Sequence, residues 1–469
     1  MEYISTRGVA PDASFDEVLL AGLAPDGGLY MPVRWPSFSR DEIAAFAGRP
    51  YGDIAAAVMN RFTTGAYDEN SLRAIAHSIY ECFADPEVAP IKPVGDDDYI
   101  LELFHGPTLA FKDFAMQFLG RLFDDVLARR SKRLTIIAAT SGDTGAAAIE
   151  ALKSCERVDI VVLHPEGRVT DVQRRMMTNI DAPNVLNIAI AGSFDDCQVI
   201  VKQLFADNDF VERVSLGGVN SINWARLAAQ TVYYFTAYAA VAKNDELVNF
   251  VVPTGNFGDV FAGYAAKQMG LPIEKLGVAT NANNILHRAL TSGDYSPSQV
   301  RQTASPSMDI QVASNFERLL FEAMNRDSVA LTARMQGFAK NHSMKLTAEE
   351  LEFIRRDFVS CAVSEDDTLD EMKRHYGETG VLIDPHTAVG RSAARKLRTA
   401  GKLSGKIITL STAHPAKFPE AVKGATGVAP ELPPHQVGIF NRREYFMKAA
   451  NDAGAVKAAI INQVSASMS

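Results

Sequence analysis

The chain has 469 residues, 47% hydrophobic and 22% charged, which is the composition of a globular protein of roughly three domains at about 150 residues each. That excludes a disordered chain, a collagen-like repeat and a small disulfide-stapled domain. Lys plus Arg number 47 against 56 Asp plus Glu, a net charge of −9; this argues against nucleic acid or anionic membrane as partners, while leaving room for a local positive pocket.

Residues 1–90 read as turn-rich pieces, GVAPDAS and APDGGLYMP, ahead of helical stretches such as DEIAAFA and ENSLRAIAHSIYECF. The opening MEYISTRGVAPDASF has no basic segment followed by an apolar one, and no apolar run reaches the ~18 to 20 residues of a membrane span. A soluble cytoplasmic protein is expected. Segment 86–98, PEVAPIKPVGDDD, reads as a connection. From Leu134 onward one pattern recurs: a short β-branched apolar run, a turn rich in Gly, Ser, Thr or Asn, then an Ala-rich helix. The runs are LTIIAAT (134–140), DIVVLHP (159–165), NVLNIAIAG (184–192), LVNFVVPTG (247–255), KLGVATN (275–281) and KIITLSTAH (406–414). Such runs suit strands buried on both faces, and the helices between them imply parallel pairing, hence a doubly wound α/β architecture. Residues near 325–375 are charged and helical in pattern, as in a solvated helical subdomain. The cysteines, Cys82, Cys155, Cys197 and Cys361, form no CxxC pair and are expected to be reduced thiols.

In such sheets ligands sit at the carboxyl ends of the strands, where the Gly-rich turns lie. HGPTLAFKDFAMQFLG (105–120) places Lys112 between Phe111 and Phe114 at an expected helix start. A lysine in apolar surroundings has a lowered pKa and can act as a Schiff-base nucleophile; the pattern also fits a surface lysine on an amphipathic helix. In AATSGDTGAAAIEALK (138–153), Thr140, Ser141, Asp143 and Thr144 supply hydroxyls and a carboxylate, and Gly142 and Gly145 expose amides. That set can hold an anion, or simply cap the helix. In VPTGNFGDVFAGYAAKQMGLP (252–272), Gly255 and Gly258 let the backbone approach a ligand, and the amides of Asn256 to Asp259 open a helix whose positive end favours phosphate. The turn is neither a P-loop nor a GxGxxG fingerprint, and a plain capped connection fits it equally. The nine histidines show no metal-ligand spacing, so no metal is expected. His105, His386 and His414 fall within motifs but fit capped or core positions as well.

Taken together, STRG (5–8), DGGLYMP (26–32), HGPTLAFKD (105–113), TSGDTG (140–145), NSINWARL (220–227), PTGNFGD (253–259), DPHTAVG (384–390) and STAHPAKF (411–418) resemble the threonine synthases of the longer bacterial and fungal type. These belong to the fold type II, tryptophan synthase β-like, pyridoxal-phosphate enzymes. The resemblance implies two doubly wound α/β domains and an N-terminal extension: residues 1–90, a large cofactor-binding domain of 91–130 and 245–469, and a smaller domain of 131–244. It implies a carbon–oxygen lyase that converts O-phospho-L-homoserine and water to L-threonine and phosphate in threonine biosynthesis. Carried onto this chain, Lys112 would hold pyridoxal 5'-phosphate as a Schiff base. Gly255, Asn256, Phe257, Gly258 and Asp259 would line its phosphate cup, and Thr412 would meet its ring nitrogen. Thr140, Ser141, Asp143 and Thr144 would cradle the substrate carboxylate. Lys417, Arg226 and Arg7, with Asn220, Ser221 and Asn223, would be donors to the substrate phosphate. A phospho-lyase giving 2-oxobutyrate, ammonia and phosphate would need the same lysine and cup. A nucleotide-binding protein without catalysis would instead carry a dinucleotide fingerprint, which is absent.

Overall fold

In the computed structural model, which describes residues 1–468 except Ser141, Asn220 and Asn244 and omits the side chains of 466–468, all six apolar runs are strands. They are Leu134–Ala139, Val158–Pro165, Val185–Ile190, Val248–Pro253, Ile273–Thr280 and Lys406–Ser411. Two sheets contain them. The larger is ordered Phe358–Ala362, Ile273–Thr280, Val248–Pro253, Lys406–Ser411, Asp98–Glu102 and Ile91–Pro93, parallel except for the last pair. The smaller is ordered Met447–Ala449, Val185–Ile190, Val158–Pro165, Leu134–Ala139 and Leu216–Gly217, parallel throughout. Every residue of Val158–Pro165 and Val248–Pro253 is buried, as parallel strands covered by helices on both faces require.

Strand order locates the crevices. In the larger sheet the chain runs outward from Val248–Pro253 through Ile273–Thr280 to Phe358–Ala362, while Lys406–Ser411 lies on its other side. The switch point therefore falls between Val248–Pro253 and Lys406–Ser411. In the smaller sheet the order reverses at Leu134–Ala139. Ligand crevices open at the carboxyl ends of such strands, which here lead into the turns at 254–258, 412–414 and 140–143.

The N-terminal residues form a small antiparallel sheet, with Glu2–Ser5 between Ala13–Ser14 and Tyr30–Pro32. Helices Tyr51–Phe62 and Glu69–Tyr80 follow. Helix Trp224–Val241 packs against Tyr51–Phe62, Lys112–Arg129 and Gly258–Gln268. Its Trp224, Tyr233, Tyr234 and Phe235 are wholly covered. One continuous core joins Tyr3, Phe15 and Phe62 to Phe250 and Leu410 of the larger sheet. No described helix is long and apolar enough to cross a membrane.

Three expectations need correction. Segment 86–98 is not merely a connection, because Ile91–Pro93 is an antiparallel edge strand. Residues 325–375 contain helices Ser328–Asn341, Ala348–Asp357 and Glu365–Thr379, but Phe358–Ala362 between them is an edge strand of the larger sheet; five residues flanked by charged helices gave too short a signal. The domain division also shifts. Met447–Ala449 adds a strand to the smaller sheet, and Val456, Ile460 and Val464 of the C-terminal helix pack with Val161 and Ile188. Residues 447–468 therefore group with 131–217, whereas helix Trp224–Val241 packs on the larger unit.

Ile460 is fully buried in that C-terminal seam. Ile460→Ala should destabilise the smaller unit by about 3 kcal/mol through the cavity it leaves, seen as an earlier urea transition; an unchanged transition would show that the helix is an appendage.

Candidate active site

Lys112 opens helix Lys112–Arg129. The turn before it is tied by Asp113, whose carboxylate accepts the Thr108 amide at 2.8 Å and the Thr108 hydroxyl at 2.6 Å. The aspartate packs onto Gly106, where any β-carbon would lie 2.4 Å from it. Burial pushes the Asp113 carboxyl up to about 6. Backbone bonds then fasten this turn to the end of strand Lys406–Ser411: Leu103 N to Ser411 O, Phe111 N to Thr412 O and His414 N to Leu109 O, at 2.9 to 3.0 Å. Lys112 and Thr412 are thereby brought to one side of the switch point.

Asp143 opens helix Asp143–Leu152. Gly142 at its cap has φ of 135°, and a β-carbon there would meet Gln173 at 2.6 Å, so only glycine fits this position. Thr140 Oγ1 accepts the amides of Gly142 and Gly145, both at 2.9 Å. The Asp143 carboxylate meets four groups. Oδ1 accepts Lys417 Nζ at 2.8 Å and Gln173 Nε2 at 2.9 Å. Oδ2 accepts Lys112 Nζ at 3.5 Å and the Ser307 hydroxyl at 3.4 Å. Burial alone would raise its pKa, but Lys417 and then Lys112 hold it far below the usual carboxylate range. For Lys112 the sign is opposite. Burial lowers its pKa, Asp143 opposes that, and Lys417 and Arg226 add to the lowering. All but 12% of the Lys112 side chain is covered.

The glycine turn after Val248–Pro253 leads into helix Gly258–Gln268. Phe257 takes the left-handed conformation at φ 65° and no described side chain caps helix Gly258–Gln268, whose first amides, like those of any helix, have no intrahelical acceptor. A β-carbon on Gly255 would lie 2.8 Å from Ser307 O; the close approach needs glycine. Asn315 braces the turn, its amide and Nδ2 both donating to Asn256 O at 3.0 and 3.1 Å. The Asp259 side chain is held on the core side of the turn. Its Oδ1 accepts Tyr233 at 2.6 Å and Tyr234 at 3.0 Å, which points the carboxyl into the core. Burial pushes its pKa up to about 6. Only its backbone amide is available to a ligand.

Other predicted residues separate into free and engaged groups. Arg226 is buried; its Nη1 donates to Val219 O at 2.9 Å, and its Nε has no partner among the described residues. Burial lowers its pKa to about 10. Thr412, Thr144 and Ser221 offer hydroxyls that bond to no described residue. Ser141 and Asn220 lie outside the described residues. Asn223 is a correction: wholly buried, it caps Trp224–Val241 through Ala225 N at 2.9 Å and donates to Leu19 O at 2.9 Å. Arg7 is another. It forms a two-point ion pair with Glu317, each contact 2.8 Å, which ties the N-terminal sheet to helix Phe316–Ala323. Lys417 is fully buried behind Asp143, with a second bond to Thr108 O at 2.8 Å, so it is not an open donor. Asp143 faces lysines, and a carboxylate so engaged cannot itself receive a substrate carboxylate. His105 pairs with Glu102 at 2.8 Å. Burial lowers the His414 pKa to about 4. Ser307 and Gln173 carried no sequence signal, because their contacts to Asp143 span 164 and 30 residues.

Similarities to known proteins agree with this geometry. The pyridoxal-phosphate dependent enzyme family matches residues 94–335, the threonine synthase N-terminus family residues 2–80, and the threonine synthase C-terminal family residues 387–460. The threonine synthase of Pseudomonas aeruginosa is 49% identical over 459 residues, covering 98% of this chain and 97% of that protein. The crystal structure of pyridoxal-phosphate-bound threonine synthase from Brucella melitensis superposes with a TM-score of 0.96 at 47% identity, covering 99% of both chains. That of the yeast threonine synthase gives 0.93 at 38% identity, again over 99% of both. With a buried lysine, an uncapped glycine turn and full-length similarity in agreement, the chain belongs to the threonine synthase family of pyridoxal-phosphate enzymes.

Proposed function

We propose that Lys112 carries the protons in the family's reaction, the conversion of O-phospho-L-homoserine and water to L-threonine and phosphate. The observation that carries this reading is the largely buried Lys112 amine held by the Asp143 carboxylate, with the charge of Arg226, a buried guanidinium whose Nε has no partner among the described residues, adding to the lowering of its pKa.

The residues present fit pyridoxal phosphate. The open amides of Gly258, Asp259 and Val260 suit a phosphate at a helix N-terminus. The Thr412 hydroxyl, which bonds to no described residue, suits a ring nitrogen kept largely unprotonated. Lys112, with its lowered pKa, suits the aldehyde. When bound, the cofactor supplies an electron sink that makes the protons on the α- and β-carbons of an amino acid removable.

The chain's own groups do the rest. Burial lowers the Lys112 pKa against the pull of Asp143, which eases release of its proton, so the amine can take a proton and return it elsewhere. Asp143 orients that amine, and Gln173 fixes Asp143 from behind. Arg226 serves the substrate phosphate, because a guanidinium with a free, desolvated N–H binds an anion better than one already paired. The hydroxyls of Thr144 and Ser221 supply neutral donors for the substrate's carboxylate and phosphate, and Ser141 and Asn220 are assigned there on sequence alone. A soluble, cytoplasmic setting is part of this proposal.

Replacing Lys112 with Ala should abolish threonine formation and the absorption of a lysine-linked cofactor; turnover at the parent rate would overturn the assignment. Arg226→Gln should lower kcat/KM for O-phosphohomoserine by about 100-fold, the loss expected for one charged hydrogen bond in a desolvated site. Cofactor content should stay unchanged in that variant, measured by absorbance after gel filtration. Loss of cofactor together with activity would move Arg226 to the cofactor's phosphate.

A further inference from the structure

Ser307 lies at the tip of a loop with two anchors. At the base, the Asp309 carboxylate accepts the Thr303 amide, the Thr303 hydroxyl, Asn281 Nδ2 and Asn283 Nδ2, at 2.7 to 2.9 Å. At the tip, the Ser307 amide donates to His386 Nε2 at 3.1 Å. His386 Nδ1 lies 2.6 Å from Asp384 Oδ2. A carboxylate only accepts, so Nδ1 carries the proton and Nε2 is left as the acceptor the Ser307 amide needs.

Asp384 is immobilised in turn. It caps helix Pro385–Thr399, accepting the amides of His386 and Thr387 at 3.0 and 3.1 Å and the Thr387 hydroxyl as well. That hydroxyl contacts Ser411 Oγ at 2.9 Å, one residue before Thr412. Both dyad side chains are buried, at 0% and 3% exposure. The half-buried Ser307 presents its carbonyl to Gly255 and its hydroxyl to Asp143 Oδ2, the oxygen that also receives Lys112.

We propose that Ser307, held by the Asp384–His386 dyad, is a positioning residue for Asp143 and, through it, for the amine of Lys112. Without the Ser307 hydroxyl, Oδ2 loses the neighbour that sets its direction while Oδ1 stays fixed on Lys417 and Gln173. The carboxylate can then rotate toward those two and away from Lys112. The dyad's part is to keep one histidine tautomer, so that the loop tip neither lifts from Gly255 nor turns its hydroxyl outward. The inference rests on Lys112 being the reacting amine.

The test uses the cofactor-loaded full chain carrying S307A, H386L, H386Q or the S307A/H386L pair. S307A and H386L should each lower kcat about tenfold while KM for O-phosphohomoserine stays within about twofold. Both should slow, by a similar factor, the appearance of the lysine-linked cofactor absorption when pyridoxal phosphate is added to cofactor-free protein. H386Q, whose amide oxygen can accept the Ser307 N–H, should restore most of the rate. The double variant should lose no more than either single one, since both act through one contact. Multiplying losses of about a hundredfold in the double variant would overturn the proposal. So would an effect confined to KM, or a loss that follows the melting temperature and is not recovered by H386Q. Threonine formation by a Lys112→Ala variant would instead remove the assignment beneath it, whatever Ser307 does.

Discussion

Asp143 faces two ammonium groups, Lys112 and Lys417, where water is largely excluded. Everything else in the site follows from how that pairing is held. A carboxylate taken out of water without partners would protonate, and a lysine would lose its proton. Here the two costs offset each other, but unequally. Asp143 keeps its charge against two lysines, while Lys112 shares that carboxylate with Lys417 and feels Arg226 besides. The amine left at the longer contact, 3.5 Å against 2.8 Å, is the one that can give up a proton and attack a carbonyl. Removing either lysine would change the other's chemistry, because a buried pair broken on one side leaves an uncompensated charge.

The backbone delivers these groups from three regions of sequence. Leu134–Ala139 ends at the Thr140–Asp143 turn, Val248–Pro253 at the Gly255 turn, and Lys406–Ser411 at Thr412 and Lys417. All three are carboxyl ends of parallel strands at a reversal of order, where loops diverge and leave a crevice. The 103–111 and 411–414 segments are hydrogen-bonded edge to edge, so the lysine and the hydroxyl cannot drift apart without breaking main-chain bonds. An overall negative chain thus carries a locally cationic centre. Net charge describes solubility and steering, while the site depends on which charges are desolvated together.

The fold was legible where burial is two-sided. Strands such as Val158–Pro165 need apolar residues at every position, and that run stands out without any structure. Edge strands escaped: Phe358–Ala362 is partly polar, and Ile91–Pro93 is largely exposed. In the site, the glycine turns were legible because few residues but glycine permit a φ of 135° or a 2.8 Å approach. Side-chain roles were less so. Arg7, Asn223 and Lys417 are the right chemical types in the right motifs, yet each is engaged by protein groups, Glu317, Leu19 O and Asp143 respectively. A linear pattern does not record which partner a polar group meets. Ser307 shows the converse, since nothing in SPSMD announces a serine that reaches Asp143 across the molecule.

The central claim is that this desolvated lysine centre performs replacement at a phosphorylated four-carbon amino acid, not elimination alone. The most direct measurement is the product ratio from O-phospho-L-homoserine, with amino acids, keto acids and phosphate separated and counted in one reaction. The account predicts one threonine for each phosphate released, with homoserine consumed far more slowly, because a hydroxyl is a poorer leaving group and leaves the phosphate donors unpaired. Phosphate released with 2-oxobutyrate and ammonia in place of threonine would contradict it.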